Sequence, residues 1–469
     1  MYKLKFLIAF FLTAACSAYS QTSVSGGIYQ NTTWTLAGSP YIVTGSIVVF
    51  PGKTLTIEPG IEIRIDNQSS NGIYIEARGG ISMIGTPTNP IKVRTLVDTA
   101  NIGWIGFKSM TSLGGSISAN YFQISNAVKP FDFEGNNNNI SYSNCMFNNN
   151  EQAIRVDSSV TLNNCSFRKN GVALYGWSNF SINNCSFIDN GIGINAYATN
   201  FQMVNSTFDA NDTGVTFSSF VFNPMTIENC VFNMNGKGID QANNGEIRNC
   251  SFTFNNIGID FAYDCSIHDN AFNDNDTGLT VSFESVVTNN NISTNGTGIS
   301  VINLSSASAQ PIITNNEICS NNFYNVDNQT NVNLSLQTNC FCGLDSSDIE
   351  QFLFDGYDDI TKGLINYTLY DTTCTSILGT VSKFQDQSAG QFEAVTSSLS
   401  FSNPVTDYLE FFEETEFEEL IIHSTSGQSF LVNAQSANVF DLRFLKPGMY
   451  IVHCISQNNT TQLFKLMKQ

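Results

Sequence analysis

Between about residues 144 and 322 the sequence repeats itself nine times. Aligning the blocks on the apolar residue of an N-C-x-F unit gives Phe147, Phe167, Phe187, Phe208, Phe232, Phe252, Phe272, Ile292 and Ile318, spaced 20, 20, 21, 24, 20, 20, 20 and 26 residues apart. Three residues beyond every anchor stands an asparagine: Asn150, Asn170, Asn190, Asn211, Asn235, Asn255, Asn275, Asn295 and Asn321. A unit this short cannot bury an apolar face alone and must stack on its neighbours, which makes the chain a solenoid. Paired-helix repeats need roughly 33 residues or more. The blocks are also rich in β-branched and aromatic residues, Asn and Gly, and poor in Ala, Glu and Lys. Alternating apolar residues such as Cys185 and Phe187, Ile194 and Ala196, and Phe201 and Met203 predict three short strands per coil.

A second column precedes the cysteine position: Asn144, Asn164, Asn184, Asn205, Asn229, Asn249, Asp269, Asn289 and Asn315. Asparagine tolerates the left-handed backbone conformation, and its amide both donates and accepts. Both columns are therefore expected at turns, hydrogen-bonded up and down at the ~4.8 Å strand spacing. The pattern N-C-x-F-x-x-N-x-x-G-I, as in Asn184 to Ile194, resembles the right-handed, pectate-lyase-like parallel β-helix family over most of the chain. The resemblance implies fold rather than function. The expected class is all-β: a right-handed parallel β-helix solenoid followed by a small C-terminal β-sandwich.

Lys3 and Lys5, the apolar run Phe6 to Ala15 and Ala18-Tyr19-Ser20 make residues 1–20 a secretory signal peptide. Cys16 raises lipidation as an alternative, although Thr13-Ala14-Ala15 lacks the leucine usual before a lipidated cysteine. No other apolar run reaches the ~18 to 20 residues of a spanning helix. Removing the leader takes the formal charge from −20 to −22, which argues against nucleic acid as a partner. Residues 21–343 are assigned to the β-helix, opening with an entry segment that includes Pro51 to Gly60 and must cover an open end of the stack. Residues 344–375 are assigned to a C-terminal cap, where Ser347-Asp348-Ile349-Glu350 reads as a capping box of a short helix ending at Gly356. Asp355, Asp358 and Asp359 crowd the next turn. They are either Ca²⁺ ligands, the one cofactor candidate, or a solvated acidic loop, since the ligand pattern of a calcium loop is absent.

Cys145, Cys165, Cys185, Cys230 and Cys250 share one inward position, with Ser206 and Asn270 replacing cysteine in that register. They are expected to be small buried thiols, whereas Cys319, Cys340, Cys342 and Cys374 lie outside the column and are candidates for bridging. Residues 376–400 read as linker, and residues 401–469 as a compact run of about seven short strands. Within that run Asn403-Pro404-Val405, Ser424 to Gln428, Leu445 to Tyr450 and the terminal Lys465-Leu466-Met467-Lys468 resemble the C-terminal sorting domain of the type IX secretion system. Gln428 departs from the family's usual Arg or Lys. The resemblance implies a Bacteroidota source, passage through the periplasm, the type IX machinery as partner, and display on the outer surface or release.

Register locates the ligand face. On the strand after the Asn170-type turn, Leu174 and Gly176 point inward and the alternating pair outward: Arg155 and Asp157, Tyr175 and Trp177, Asn195 and Tyr197, then Thr216 and Ser218, Asp240 and Ala242, Asp260 and Ala262, Thr280 and Ser282. Tyr175, Trp177 and Tyr197 beside Arg155, Asp157 and Asn195 form a surface suited to a sugar ring, apolar on one side and polar at its edge, or else an aromatic patch that merely supports the sheet. Asp240 and Asp260, one coil apart at ~5 Å, are candidate catalytic carboxylates. Against an enzyme, the clustered motifs of the galacturonan hydrolases of this fold are missing, and His268 has no evident partner. The reading is an exported glycan-binding or structural, adhesive module, with a polysaccharide-degrading enzyme as the alternative.

Overall fold

In the computed structural model the described residues are 21–372 and 374, apart from 69–71, 98–103, 134–139, 198–199, 218–223 and 305–308, together with 407–410, 419–424, 429–436, 439–446, 448–455 and 461–468. The signal peptide, the linker, Asn403-Pro404-Val405 and the Ser426 to Gln428 motif therefore lie outside them. Two compact units divide near residue 377. The first is a parallel β-helix of about 12 turns. In a typical coil Asn179–Asn183, Ser186–Ile188 and Ile192–Ala196 lie on three faces, here called third, first and second. Each strand pairs in parallel with its equivalent one coil on.

The Asn150-type column is the spine of this unit. Each of its amides is buried, and each Nδ2 donates to the next Oδ1 at 2.9–3.0 Å from Asn150 through Asn321. This corrects the expectation that both columns sit in left-handed turns. Left-handed φ falls on Asn164, Asn184, Asn205 and their column, but at the other corner it falls one residue earlier, on Lys169, Asp189, Ala210, Met234 and Phe254. That step turns the following asparagine inward, where it meets backbone groups that water cannot reach.

Inside, Phe147, Phe167, Phe187, Phe208, Phe232, Phe252 and Phe272 form one continuous stack, with centroids 4.6–4.9 Å apart and planes within 2–9°. Isolated rings prefer offset or edge contacts. Here the ladder spacing keeps the ring planes nearly parallel along the whole column. The inward cysteines are free and buried, and Cys145, Cys165, Cys185, Cys230 and Cys250 donate S–H to the carbonyl two residues earlier. From Asn270 the same position becomes a second amide ladder, running through Asn290 and Asn316 to Asn339.

Pairing continues past residue 343. Leu353–Phe354 joins Tyr324–Asn328 in parallel, and Leu334–Ser335 joins Ile365–Asn366. The cap helix is one turn, Ser346–Glu350, with Asp345 rather than Ser347 as its cap, because the Asp345 carboxylate accepts from the amides of Ser347 and Asp348. Ile349 and Leu353 are buried in the solenoid core. Cys319 bridges Cys342, and Cys340 bridges Cys374.

The second unit contains six described antiparallel strands: Tyr408–Glu410, Glu419–Ser424, Ser429–Ser436, Val439–Asp441, Gly448–Ile455 and Thr461–Lys468. Leu409, Leu420, Ile422, Phe440, Val452 and Leu466 are buried in its own core. Tyr450 donates its hydroxyl to the Lys446 carbonyl at 2.8 Å, tying the fifth strand to the turn before it.

Candidate functional site

On the second face Arg155, Tyr175, Asn195, Thr216, Asp240 and Asp260 are successive ladder partners, as alternation requires. Beside them Trp177 is 50% exposed and stacks on Tyr197, with centroids 4.0 Å apart and planes at 12°. Tyr175 meets both edge-on, at 6.5 Å and 5.8 Å. The sequence placed these three aromatics together correctly, but not as a flat platform. Side chains one coil apart stack along the axis, so Trp177 and Tyr197 cover one face of each other and leave edges and outer faces for a ligand.

The second outward column ends there. Ala242, Ala262 and Ser282, expected outside, are buried. At Ala242 and Ala262 the cause is a left-handed step at Gln241 and at Phe261, which adds one residue to the corner and turns the next inward. The exposed double column therefore belongs to the coils of Arg155, Tyr175 and Asn195, while Ser218 lies outside the described residues.

Asp240 and Asp260 are adjacent as expected, but Lys237 lies between them, its Nζ 3.1 Å from Asp240 and 2.7 Å from Asp260. Thr216 also donates to Asp240 at 3.2 Å. Burial alone would lower the Lys237 pKa, yet the two carboxylates outweigh it and hold it above its ordinary value. A shared ammonium offsets the repulsion between the two neighbouring carboxylates. Sequence reasoning missed Lys237, because strict alternation puts residues three apart on opposite faces of a strand, whereas here Gly238 and Ile239 are both buried.

His268 corrects a second expectation, since it has two partners. On the third face Nε2 lies 2.9 Å from Glu246, one coil back, and Nδ1 lies 2.7 Å from Asp269. Arg248 continues the network, 2.8 Å from Glu228 and 3.6 Å from Glu246. An imidazole with an acceptor at each nitrogen is served best as imidazolium, which donates from both. Burial would depress its pKa, but the bonds to Asp269 and Glu246 raise it above the ordinary value. A raised pKa means stabilisation fully present below the unfolded value near about 6.5 and lost as pH rises through the folded value. The wild-type minus His268→Gln difference in unfolding free energy should therefore shrink with rising pH across that window, by about 1 kcal/mol or less for so exposed a network. A difference independent of pH would remove the imidazolium clamp.

The acidic turn is occupied by its own backbone. Asp355 is buried and accepts from the amides of Tyr357 and Ile365, Asp358 accepts from the Asp355 amide, and Asp359 accepts from Thr361. These carboxylates shape the turn by accepting from its own backbone, and they are not among the potential metal-ligand groups of the described residues.

Residues 160–340 match a family described as periplasmic copper-binding protein (NosD). No curated protein matches the chain. Among solved structures, the A-module of the Azotobacter vinelandii mannuronan C-5 epimerase AlgE6 is 14% identical, with 68% of this chain and 90% of that one covered and a TM-score of 0.30. A tailspike, gp49 of the Acinetobacter baumannii bacteriophage Fri1, a capsular polysaccharide depolymerase, is 13% identical over 95% and 77%, at 0.20. An alginate lyase from Paenibacillus sp. is 9% identical over 68% and 93%, at 0.18. Similarity at these scores carries no argument about function.

Copper can be tested on donor chemistry. Cu(I) sites use thiolates or thioethers, and Cu(II) sites imidazoles. The thiols of the matched coils are buried, those of Cys165, Cys185, Cys230 and Cys250 donate to the carbonyl two residues earlier, and burial pushes Cys265 up to about 12. His268, the sole histidine of residues 160–340, has both nitrogens engaged. The two potential metal clusters among the described residues are built from the disulfide cysteines. These residues do not fit a copper site.

Proposed function

We propose that this chain is an exported parallel β-helix that binds a glycan on its second face, through Tyr175, Trp177 and Tyr197 with Arg155, Asp157 and Asn195 beside them. The observation that carries the reading is the half-exposed Trp177, packed between two tyrosines on a solenoid whose other large aromatics in these coils are buried. Indole and phenol edges supply apolar surface with a polar handle, and the adjacent amide, guanidinium and carboxylate supply hydrogen bonds to ring hydroxyls. Export by the leader of residues 1–20 and recognition of residues 401–469 by the type IX machinery, with delivery to the outer surface or the medium, complete the reading. Against the polysaccharide-degrading alternative, Lys237 is ion-paired with both of its candidate carboxylates, Asp240 and Asp260.

Affinity electrophoresis of the full chain through gels cast with different polysaccharides tests the proposal. Retardation in one gel, weakened about tenfold or more by Trp177→Ala at unchanged melting temperature, is the expected result. Equal mobility of both proteins in every gel would discard the site, and a cleared halo in the stained gel would restore the enzyme.

A further inference from the structure

The same face carries a second polar cluster, and its chemistry narrows what can lie there. Tyr175 and Asp240 belong to one column, three coils apart, about 14 Å at the ladder spacing. That is within reach of a short oligosaccharide. At the far end Thr216, Lys237, Asp240 and Asp260 present fixed donors and acceptors in one plane of the sheet. The lysine that could neutralise a uronate or sulfate at this end is already shared by two carboxylates, so the cluster is net negative. The whole chain, at −20, adds a long-range repulsion towards any polyanion. Hydroxyl groups, which donate and accept in turn, are what such an arrangement can bind without uncovering a charge.

We infer that the ligand is an uncharged polysaccharide segment lying along the solenoid axis from the aromatic cluster to Thr216, Lys237, Asp240 and Asp260, which form its second contact point. The inference rests on the glycan reading above and narrows it. The aromatic end supplies most of the apolar contact, and the Lys237 end fixes how long a segment is recognised.

The test uses the full chain in gels cast with neutral polymers (β-1,3-glucan, mannan, xylan) and acidic ones (alginate, polygalacturonate), with and without added salt. The expected result is retardation by a neutral polymer, insensitive to salt and weakened about tenfold by Lys237→Gln. Competition with oligosaccharides of that polymer against the wild-type chain needs no variant to fold, and a pentasaccharide should compete about tenfold better than a disaccharide. Retardation confined to the acidic gels and abolished by salt, or a disaccharide as effective as the pentasaccharide, would overturn this inference while leaving the aromatic site standing. Equal mobility in every gel would overturn both.

Discussion

Asn190→Ala should cost the solenoid about 4 to 6 kcal/mol, among the largest single effects available in this chain. Asn190 accepts from the Asn170 amide N–H and from Asn170 Nδ2, both at 2.9 Å, and it donates to the Phe167 carbonyl at 3.1 Å and to Asn211 Oδ1 at 2.9 Å. All four bonds are buried. Truncation leaves two donors and a carbonyl on neighbouring coils without partners, each costing about 1 to 3 kcal/mol, and no route for water short of opening the stack. Asn190→Asp should be no better, since a carboxylate cannot donate to Phe167 or Asn211 and is charged in the core. Asn184→Ala is the control. Its side chain donates at 2.7 Å to Asn164 in a bond open to solvent, so the cost is mainly that of placing alanine at φ 52°, about 1 to 2 kcal/mol. Urea unfolding of the three variants orders them, and equal losses at Asn184 and Asn190 would refute the buried spine as the stronger column.

That contrast marks where the sequence was legible. The period, the three strands per coil, the inward thiols and the outward register of Arg155, Tyr175 and Asn195 all follow from spacing and alternation, because a parallel ladder converts sequence periodicity directly into position. The two asparagine columns look alike in sequence and differ in space by a single left-handed residue. Nothing in Lys169, Ala210 or Met234 announces that conformation, since it is enforced by the coil rather than preferred by those residues. The same device hid the inward turn of Ala242 and Ala262. Lys237 and His268 were missed for another reason. Each has one partner close in sequence, Asp240 or Asp269, and a second one coil away, Asp260 or Glu246, and reading each strand alone concealed the second. The aromatic site was half legible: register brought Tyr175, Trp177 and Tyr197 together, while the stacking of Trp177 on Tyr197 depends on side-chain rotation that register does not specify.

Phe208→Ala should cost about 3 to 5 kcal/mol. The ring is fully buried, 4.6 Å from Phe187 and 4.9 Å from Phe232, and it fills the core across two coil interfaces. It also explains a glycine. A Cβ on Gly193 would come within 3.0 Å of Phe208 Cδ1 and 2.5 Å of the Gly214 carbonyl oxygen, so the glycine of the N-x-x-G unit leaves room for the next coil's ring and backbone. Phe208→Leu separates two sources of stabilisation. If burial of apolar area dominates, leucine retains most of it and the loss is about 1 to 1.5 kcal/mol. If ring-on-ring stacking dominates, both neighbours lose a partner and leucine should be nearly as damaging as alanine, since each pair contributes about 0.5 to 1.5 kcal/mol beyond area. Burial is expected to dominate, because removing a large apolar side chain from water contributes about 1.5 to 3 kcal/mol, more than either stacked pair adds. The expected order in urea is therefore wild type, then leucine close behind, then alanine far below, and a leucine variant as weak as the alanine one would show that the stack holds the coils together as a stack.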